Sequence, residues 1–216
     1  MTAKVAIIDY GSGNLRSVAK AIERAGSVTG SSDEVRVTAN ADDVAWASHI
    51  VLPGVGAFAD CRQGLYALPG MADALQHHVI EKAKPFLGIC VGMQLMATMG
   101  REFETTPGLG WIEGEVGPIQ TSDLTLKIPH MGWNNLDISD KPHVVLEGIN
   151  SGDHGYFVHS YGMNCKSPDT ILATVDYGGP IVAVIGKNNL VGTQFHPEKS
   201  QKTGLRLLSN FVNWRP

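Results

Sequence analysis

The sequence predicts an α/β fold, a three-layer sandwich around a central mixed, largely parallel sheet. Three observations predict it. Short apolar runs alternate with segments of helical period through the first half of the chain. Glycine or proline closes several of those runs, as at Gly11, Gly13 and Pro53. The second half then strings strand-like runs together through Gly, Pro and Asn turns, with no helical segment between them.

Taken in order, residues 5–9 form a first strand bounded by the Gly11 and Gly13 turn. Leu15, Val18, Ala19 and Ile22 recur at helical spacing until Gly26 closes the segment. Strands are expected at 35–38 and 49–52, the latter stopped by Pro53, and helices at 57–66 and 71–84. Residues 85–89 make a fourth apolar run, and 91–99 read as helix. This βαβ rhythm predicts parallel strands with helices on both faces. Further strands are expected at 111–119, 134–138, 156–164, 171–177 and 181–185, as antiparallel pairs or as a mixed extension of the sheet. Residues 190–195 return to a buried-strand pattern, and Leu205, Leu208 and Val212 mark a closing helix over 203–214.

The chain has 216 residues, and no repeat, low-complexity tract or linker divides it, so a single domain over 1–216 is expected. An apolar share of 43% suffices for a full core. A formal charge of -4, with Lys and Arg scattered, gives no reason to expect nucleic acid or an acidic membrane as partner. No apolar run is long enough to span a bilayer, and the N-terminal run reads as a strand rather than a signal peptide. Three widely spaced cysteines suggest no disulfide framework, which points to a reducing cytoplasm.

The chemistry concentrates at Gly88-Ile89-Cys90-Val91-Gly92. An apolar strand, a nucleophilic residue between two glycines and a helical pattern make the layout of a nucleophile elbow, with Cys in place of Ser. Such a turn brings backbone segments too close for side chains, which is why glycine flanks it. A thiol near its free pKa is little ionised at neutral pH and needs a base. His196, ending the last apolar run, can supply one, and Glu198 can fix its tautomer. At 53–56, Pro53-Gly54-Val55-Gly56 ends another strand. The backbone N–H groups of Val55 and Val91 are the candidate donors to a developing oxyanion, each such donor contributing roughly 3 kcal/mol to transition-state stabilisation. Standing alone, each motif has a plainer reading: a buried cysteine, a surface turn, an ordinary strand-to-helix turn. Together in one α/β chain, Cys90, His196 and Glu198 form a candidate catalytic triad.

Other features lack support. Gly11-Ser12-Gly13 has Arg16 where a dinucleotide fingerprint needs its third glycine. His77 and His78 have no Cys or acidic partner at ligand spacing, so no metal and no cofactor is expected. Cys61 and Cys165 read as structural, and Trp133 is open between core residue and exposed anchor.

These motifs resemble the class I glutamine amidotransferases. GICVGMQ at 88–94 resembles the family's nucleophile motif, with Val91 where Leu or Ala is common and Met93 where several members carry His. DYGSGN at 9–14, PGVGAF at 53–58, PHMGWN at 129–134, YFVHSY at 156–161 and FHPEKS at 195–200 resemble one subfamily, the glutaminase subunits of imidazole glycerol phosphate synthases. Subunits serving another synthase, such as anthranilate synthase, are the nearer alternative. The resemblance implies glutamine hydrolysis to glutamate and ammonia through a glutamyl thioester on Cys90. It implies that Gly56, Gln94, Ser160 and Tyr161 hold the substrate. It also implies a heterodimer with a (β/α)8 cyclase subunit that receives the ammonia, docked on a face bearing Asn14, Trp133, Tyr156 and Lys199. Rotation of one peptide in the 53–56 loop would then complete the oxyanion hole.

Overall fold

The structure is a computed structural model that describes residues 2–28, 33–123, 125–141 and 143–216. The first half runs β1 (Lys4–Ile8), α1 (Leu15–Val28), β2 (Glu34–Thr38), α2 (Asp42–Trp46), β3 (His49–Gly54), α3 (Phe58–Ala67), α4 (Met71–Leu75), β4 (Phe86–Cys90) and α5 (Val91–Gln94). The second continues with β5 (Ala97–Glu102), β6 (Glu104–Pro107), β7 (Ile112–Pro118), β8 (His130–Asn135), β9 (Asp137–Ile138), β10 (His154–His159), β11 (Tyr161–Cys165), β12 (Ile171–Asp176), β13 (Pro180–Lys187), β14 (Leu190–Thr193) and α6 (Gln201–Asn213).

The main sheet has strand order β2-β1-β3-β4-β14-β13-β12-β9. Its strands are parallel from β2 to β14 and antiparallel from β14 to β9, so the sheet is mixed as the sequence predicts. The β1-to-β2 connection steps one way along the sheet and the later βαβ connections step the other. Right-handed crossovers therefore place α1 on one face and α2, α3 and α4 on the opposite one. α6 joins α1, against which it packs. Each helix turns its apolar stripe inward: Val18, Ile22 and Ala25 on α1, and Leu207, Leu208, Phe211 and Val212 on α6, are buried. Five-residue β4 is buried along its whole length, as a central parallel strand covered on both faces must be. Among the described residues no helix is long and apolar enough to cross a membrane.

Three expectations need correction. Residues 91–99 are not one helix, since α5 stops at Gln94 and β5 follows, pairing with β6 and β7. A short apolar run satisfies either period, and tertiary pairing decides. At Gly100 a side chain would strike the Phe58 ring 2.6 Å away, which is how β5 lies so close to α3. The run 156–164 is two strands: β10 pairs with β8, and β11 pairs with β7 in another sheet. Ser160 is the switch between them, and a uniform apolar pattern cannot announce a change of partner. The expected helix over 71–84 is α4 continued by a π-helical turn, Gln76–Glu81. Two small sheets, β8 with β10 and β11-β7-β5-β6, stand apart from the main one, so both expected arrangements occur: antiparallel pairs outside the main sheet and a mixed extension within it.

Candidate active site

Parallel strands end together, so their carboxyl ends form a natural crevice. Here β3, β4 and β14 lie side by side, with Gly54 level with Cys90 and Thr193 level with Ile89. The 53–56 loop, Cys90 and the segment leading to His196 therefore leave the sheet at one edge.

Cys90 has φ 54° and ψ -113°, a conformation that a non-glycine residue adopts only under constraint. Close packing supplies the constraint. A Cβ on Gly88 would lie 2.6 Å from the Gly92 carbonyl, one on Gly92 would overlap the Leu52 carbonyl, and one on Gly54 would lie 2.8 Å from the Gly92 amide nitrogen. β3, the elbow and α5 thus meet backbone to backbone, as the elbow layout predicts.

The side chains of His196 and Glu198 are buried, and Nδ1 of the imidazole lies 2.9 Å from a Glu198 oxygen. The carboxylate accepts the Nδ1 proton and so aims Nε2 at the crevice. Nε2 has no hydrogen-bond partner, so no bond of ordinary geometry closes between it and the Cys90 sulfur. The two are nonetheless near enough to interact. Burial, the largest influence on His196, opposes its protonation, but the sulfur and Glu198 together outweigh it and raise the imidazole to about 9. The His196 turn is held from outside as well. Its N–H donates to the Tyr156 carbonyl at 2.9 Å, and Ser200 Oγ accepts from the Tyr156 N–H and donates to the His196 carbonyl.

A cavity of about 330 Å³ opens on these groups, lined by Val55, Gly56, Cys90, Val91, Gln94, Glu102, Pro129, Val158, His159, Ser160, Tyr161 and His196. Both candidate oxyanion residues and all four candidate substrate residues thus meet beside Cys90. Gln94 Nε2 donates to the Tyr161 carbonyl and to Gln194 Oε1, each at 3.0 Å, and Gln194 Nε2 donates to Cys90 Sγ at 3.6 Å.

One candidate donor is turned away. The Val55 N–H donates to Ser12 Oγ at 3.1 Å, so it does not point at the space an oxyanion would occupy. Ser12 Oγ also donates to the Val55 carbonyl, which accepts the Cys61 thiol at 3.3 Å. The Tyr10 hydroxyl donates to the Pro53 carbonyl at 2.7 Å; burial pushes its pKa far up, which keeps it a donor.

Trp133 and Tyr156 face each other across β8 and β10 with ring centroids 5.7 Å apart, and Lys199 Nζ lies 5.6 Å from the Tyr156 ring. Trp133 is 47% exposed, which resolves its open reading in favour of a surface residue. Asn14 lies at the start of α1, which packs against the 3-10 turn Pro197–Lys199. Sequence reasoning passed over Ser12, Glu102, His159 and Gln194. Ser12 and His159 stand in the quoted motifs at 9–14 and 156–161 and Gln194 two residues before His196, whereas Glu102 had no local signal.

A strand-end cysteine facing a carboxylate-bound imidazole, beside a cavity large enough for an amino acid, has the parts of a thiol acyl-transfer site on an α/β sandwich. The chain belongs to the class-I glutamine amidotransferase family, whose sequence model matches residues 6–214. It is 57% identical over 213 residues to the imidazole glycerol phosphate synthase subunit HisH of Rhodospirillum rubrum, covering 99% of this chain and 100% of the relative. It is 56% identical over 216 residues to the subunit of the same name from Brucella suis, with 99% and 100% covered. Among solved structures, a glutamine amidotransferase superposes with a TM-score of 0.70 at 17% identity, covering 97% of this chain and 99% of that one. Another, from Thermotoga maritima, gives 0.60 at 16% identity, with 95% and 80% covered. At such identities these two speak for the fold alone.

Proposed function

We propose that the chain is a cytoplasmic, single-domain glutaminase subunit of an imidazole glycerol phosphate synthase, hydrolysing glutamine and passing ammonia to a cyclase subunit. The observation that carries this reading is the meeting of Cys90, His196 and Glu198 at adjacent strand ends beside one cavity. Two relatives of over half identity that bear that subunit's name support the synthase, in preference to anthranilate synthase.

Cys90 Sγ passes its proton to His196 and attacks the carboxamide carbon, whose C=O π pair moves onto oxygen. The Val91 N–H meets that oxyanion, and the Val55 N–H joins it once the Gly54–Val55 peptide turns. His196, raised to about 9, holds the proton that the leaving nitrogen needs. The C–N bond breaks, ammonia departs and a glutamyl thioester remains. His196 then takes a proton from water, hydroxide adds to the thioester, the C–S bond breaks, and glutamate leaves with the thiol restored. Glu198 keeps the imidazole in one tautomer throughout. Gly56, Gln94, Ser160 and Tyr161 hold the substrate, and Glu102, the cavity's carboxylate outside the triad, suits its ammonium group.

Trp133, Tyr156, Lys199 and Asn14 form the docking face. Tyr156 connects that face to the chemistry, since its carbonyl holds the His196 N–H. An ammonia-release assay on the chain alone, with cyclase, and with cyclase plus its nucleotide ligand tests the reading. Release that rises sharply with the full set and vanishes in Cys90→Ala is the expected result; unchanged release in Cys90→Ala removes the proposed nucleophile.

A further inference from the structure

Between the docking face and the cavity lies a buried polar chain that the chemistry above does not use. His130 on β8 and His159 on β10 are register partners, 2% and 6% exposed, and His130 Nδ1 lies 3.0 Å from His159 Nε2. His159 Nδ1 lies 2.8 Å from the Tyr161 carbonyl, and His130 Nε2 lies 3.2 Å from the Asn134 side-chain nitrogen. Tyr177 and Phe157 stack on the His130 ring, with centroids 4.0 and 4.8 Å away. The ring cannot tilt without losing them.

The direction of every hydrogen bond follows from the two ends. A carbonyl only accepts, so His159 carries its proton on Nδ1 and presents a lone pair at Nε2. His130 must then donate from Nδ1, which leaves its Nε2 to accept from the Asn134 amide. That amide's other proton goes to the Asp176 carbonyl at 2.9 Å, so Asn134 is itself fixed. The arrangement requires both rings neutral, and burial holds each at about 4, well below an ordinary histidine. Beyond Tyr161 the chain continues through Gln94 and Gln194 to the Cys90 sulfur.

We propose that His130 and His159 are positioning residues that set the Tyr161 carbonyl, and through it Gln94, from the strand that carries Trp133. Neither ring has a part in bond-making. Their effect is on how well the cavity fits its substrate, and it rests on the glutaminase reading above. Displacement of β8 by a docked partner would reach the substrate through this chain, because a bonded ring pair with one allowed polarity moves as a unit.

The test has two arms on the full chain. Nitrogen NMR of the 15N-labelled imidazoles is expected to find both His130 and His159 protonated at Nδ1 only, at pH 7. Either ring protonated at Nε2 overturns the inference, and this arm needs no variant to fold. The second arm measures steady-state glutamine hydrolysis, with active sites counted by a covalent glutamine analogue. His159→Leu should raise KM about tenfold while kcat per labelled site stays within about threefold. His130→Leu, remote from the substrate, should raise KM in the same way, and the double variant should be no worse than the poorer single one. His159→Asn, which keeps a donor toward Tyr161, should recover KM to within about twofold. A His130→Leu protein with wild-type KM, a fall in kcat alone, or effects that multiply each overturn it. Wild-type protein that releases no ammonia from glutamine would instead fail the glutaminase reading.

Discussion

Ser12 holds Val55 by both of its backbone polar groups: the Val55 N–H donates to Ser12 Oγ at 3.1 Å, and the same hydroxyl donates to the Val55 carbonyl. A side chain from the loop after β1 thereby sets the peptide that the proposed chemistry needs reversed. The reversal turns the Gly54–Val55 peptide about ψ of residue 54 and φ of residue 55, and Gly54 has no side chain to restrict that rotation.

Ser12→Ala removes one partner of that latch. A hydrogen bond of this kind contributes about 1 kcal/mol net, so glutamine hydrolysis by the chain without its partner should rise about fivefold. Basal ammonia release and the ratio of stimulated to basal rate measure it. A Ser12→Ala protein whose basal rate is unchanged would leave the latch without a role in activity.

Glu198→Gln takes the carboxylate from His196. Only the Cys90 sulfur then opposes burial, so the imidazole titration, followed by NMR, should fall from about 9. With orientation and charge support both lost, kcat should drop by roughly 10²- to 10⁴-fold. A titration still near 9 would assign the shift to some other group.

Gly92→Ala asks whether the elbow depends on backbone contact. The added methyl would overlap the Leu52 carbonyl, and backbone cannot step aside as a side-chain tip can. Overpacking of this sort costs about 1–3 kcal/mol, so thermal unfolding should begin roughly 3–10 °C lower, with hydrolysis lost more than stability. Gly56→Ala tests the loop differently: there is room for the methyl but strain at its positive φ.

Stability should fall in mild acid. His49, His130 and His159 are each held near 4 in the folded chain, chiefly by burial, against about 6.5 when unfolded. Their lowered pKa values make the folded state the poorer proton binder, so their contribution is complete above pH 6.5 and is lost as pH falls toward 4. His196 has the opposite sign: its contribution is complete below pH 6.5 and is lost as pH rises through about 9. Near pH 5 it adds no slope. Urea unfolding between pH 6.5 and 5 should lose up to about 1.4 kcal/mol per pH unit for each of the three rings. A flat profile there would mean that these rings are not neutral in the folded chain.

Much of this site was legible before any coordinates. Gly88 and Gly92 around Cys90 marked the elbow because only a turn so tight needs both flanks bare, and the structure shows what each would strike. His196 and Glu198 were legible because a two-residue spacing suffices for the imidazole–carboxylate bond. Ser160 and Tyr161 stood in a motif, yet the strand through them broke between two sheets where none was expected. What Gln194, Glu102 and Ser12 touch was not legible, because their partners are brought by the fold rather than by neighbours in the chain.

The sequence by itself determined the alternation of strand and helix, the elbow, and the residues able to serve as nucleophile, base and acid, since those depend on local periodicity and short spacings. Tertiary structure alone decided which strand ends are adjacent, that Val55 rests against Ser12, and that two histidines far apart in the chain share one proton order. Such relations join residues whose separation along the chain carries no information about their separation in space. They are settled only when the sheets pack and most buried polar groups must find a partner.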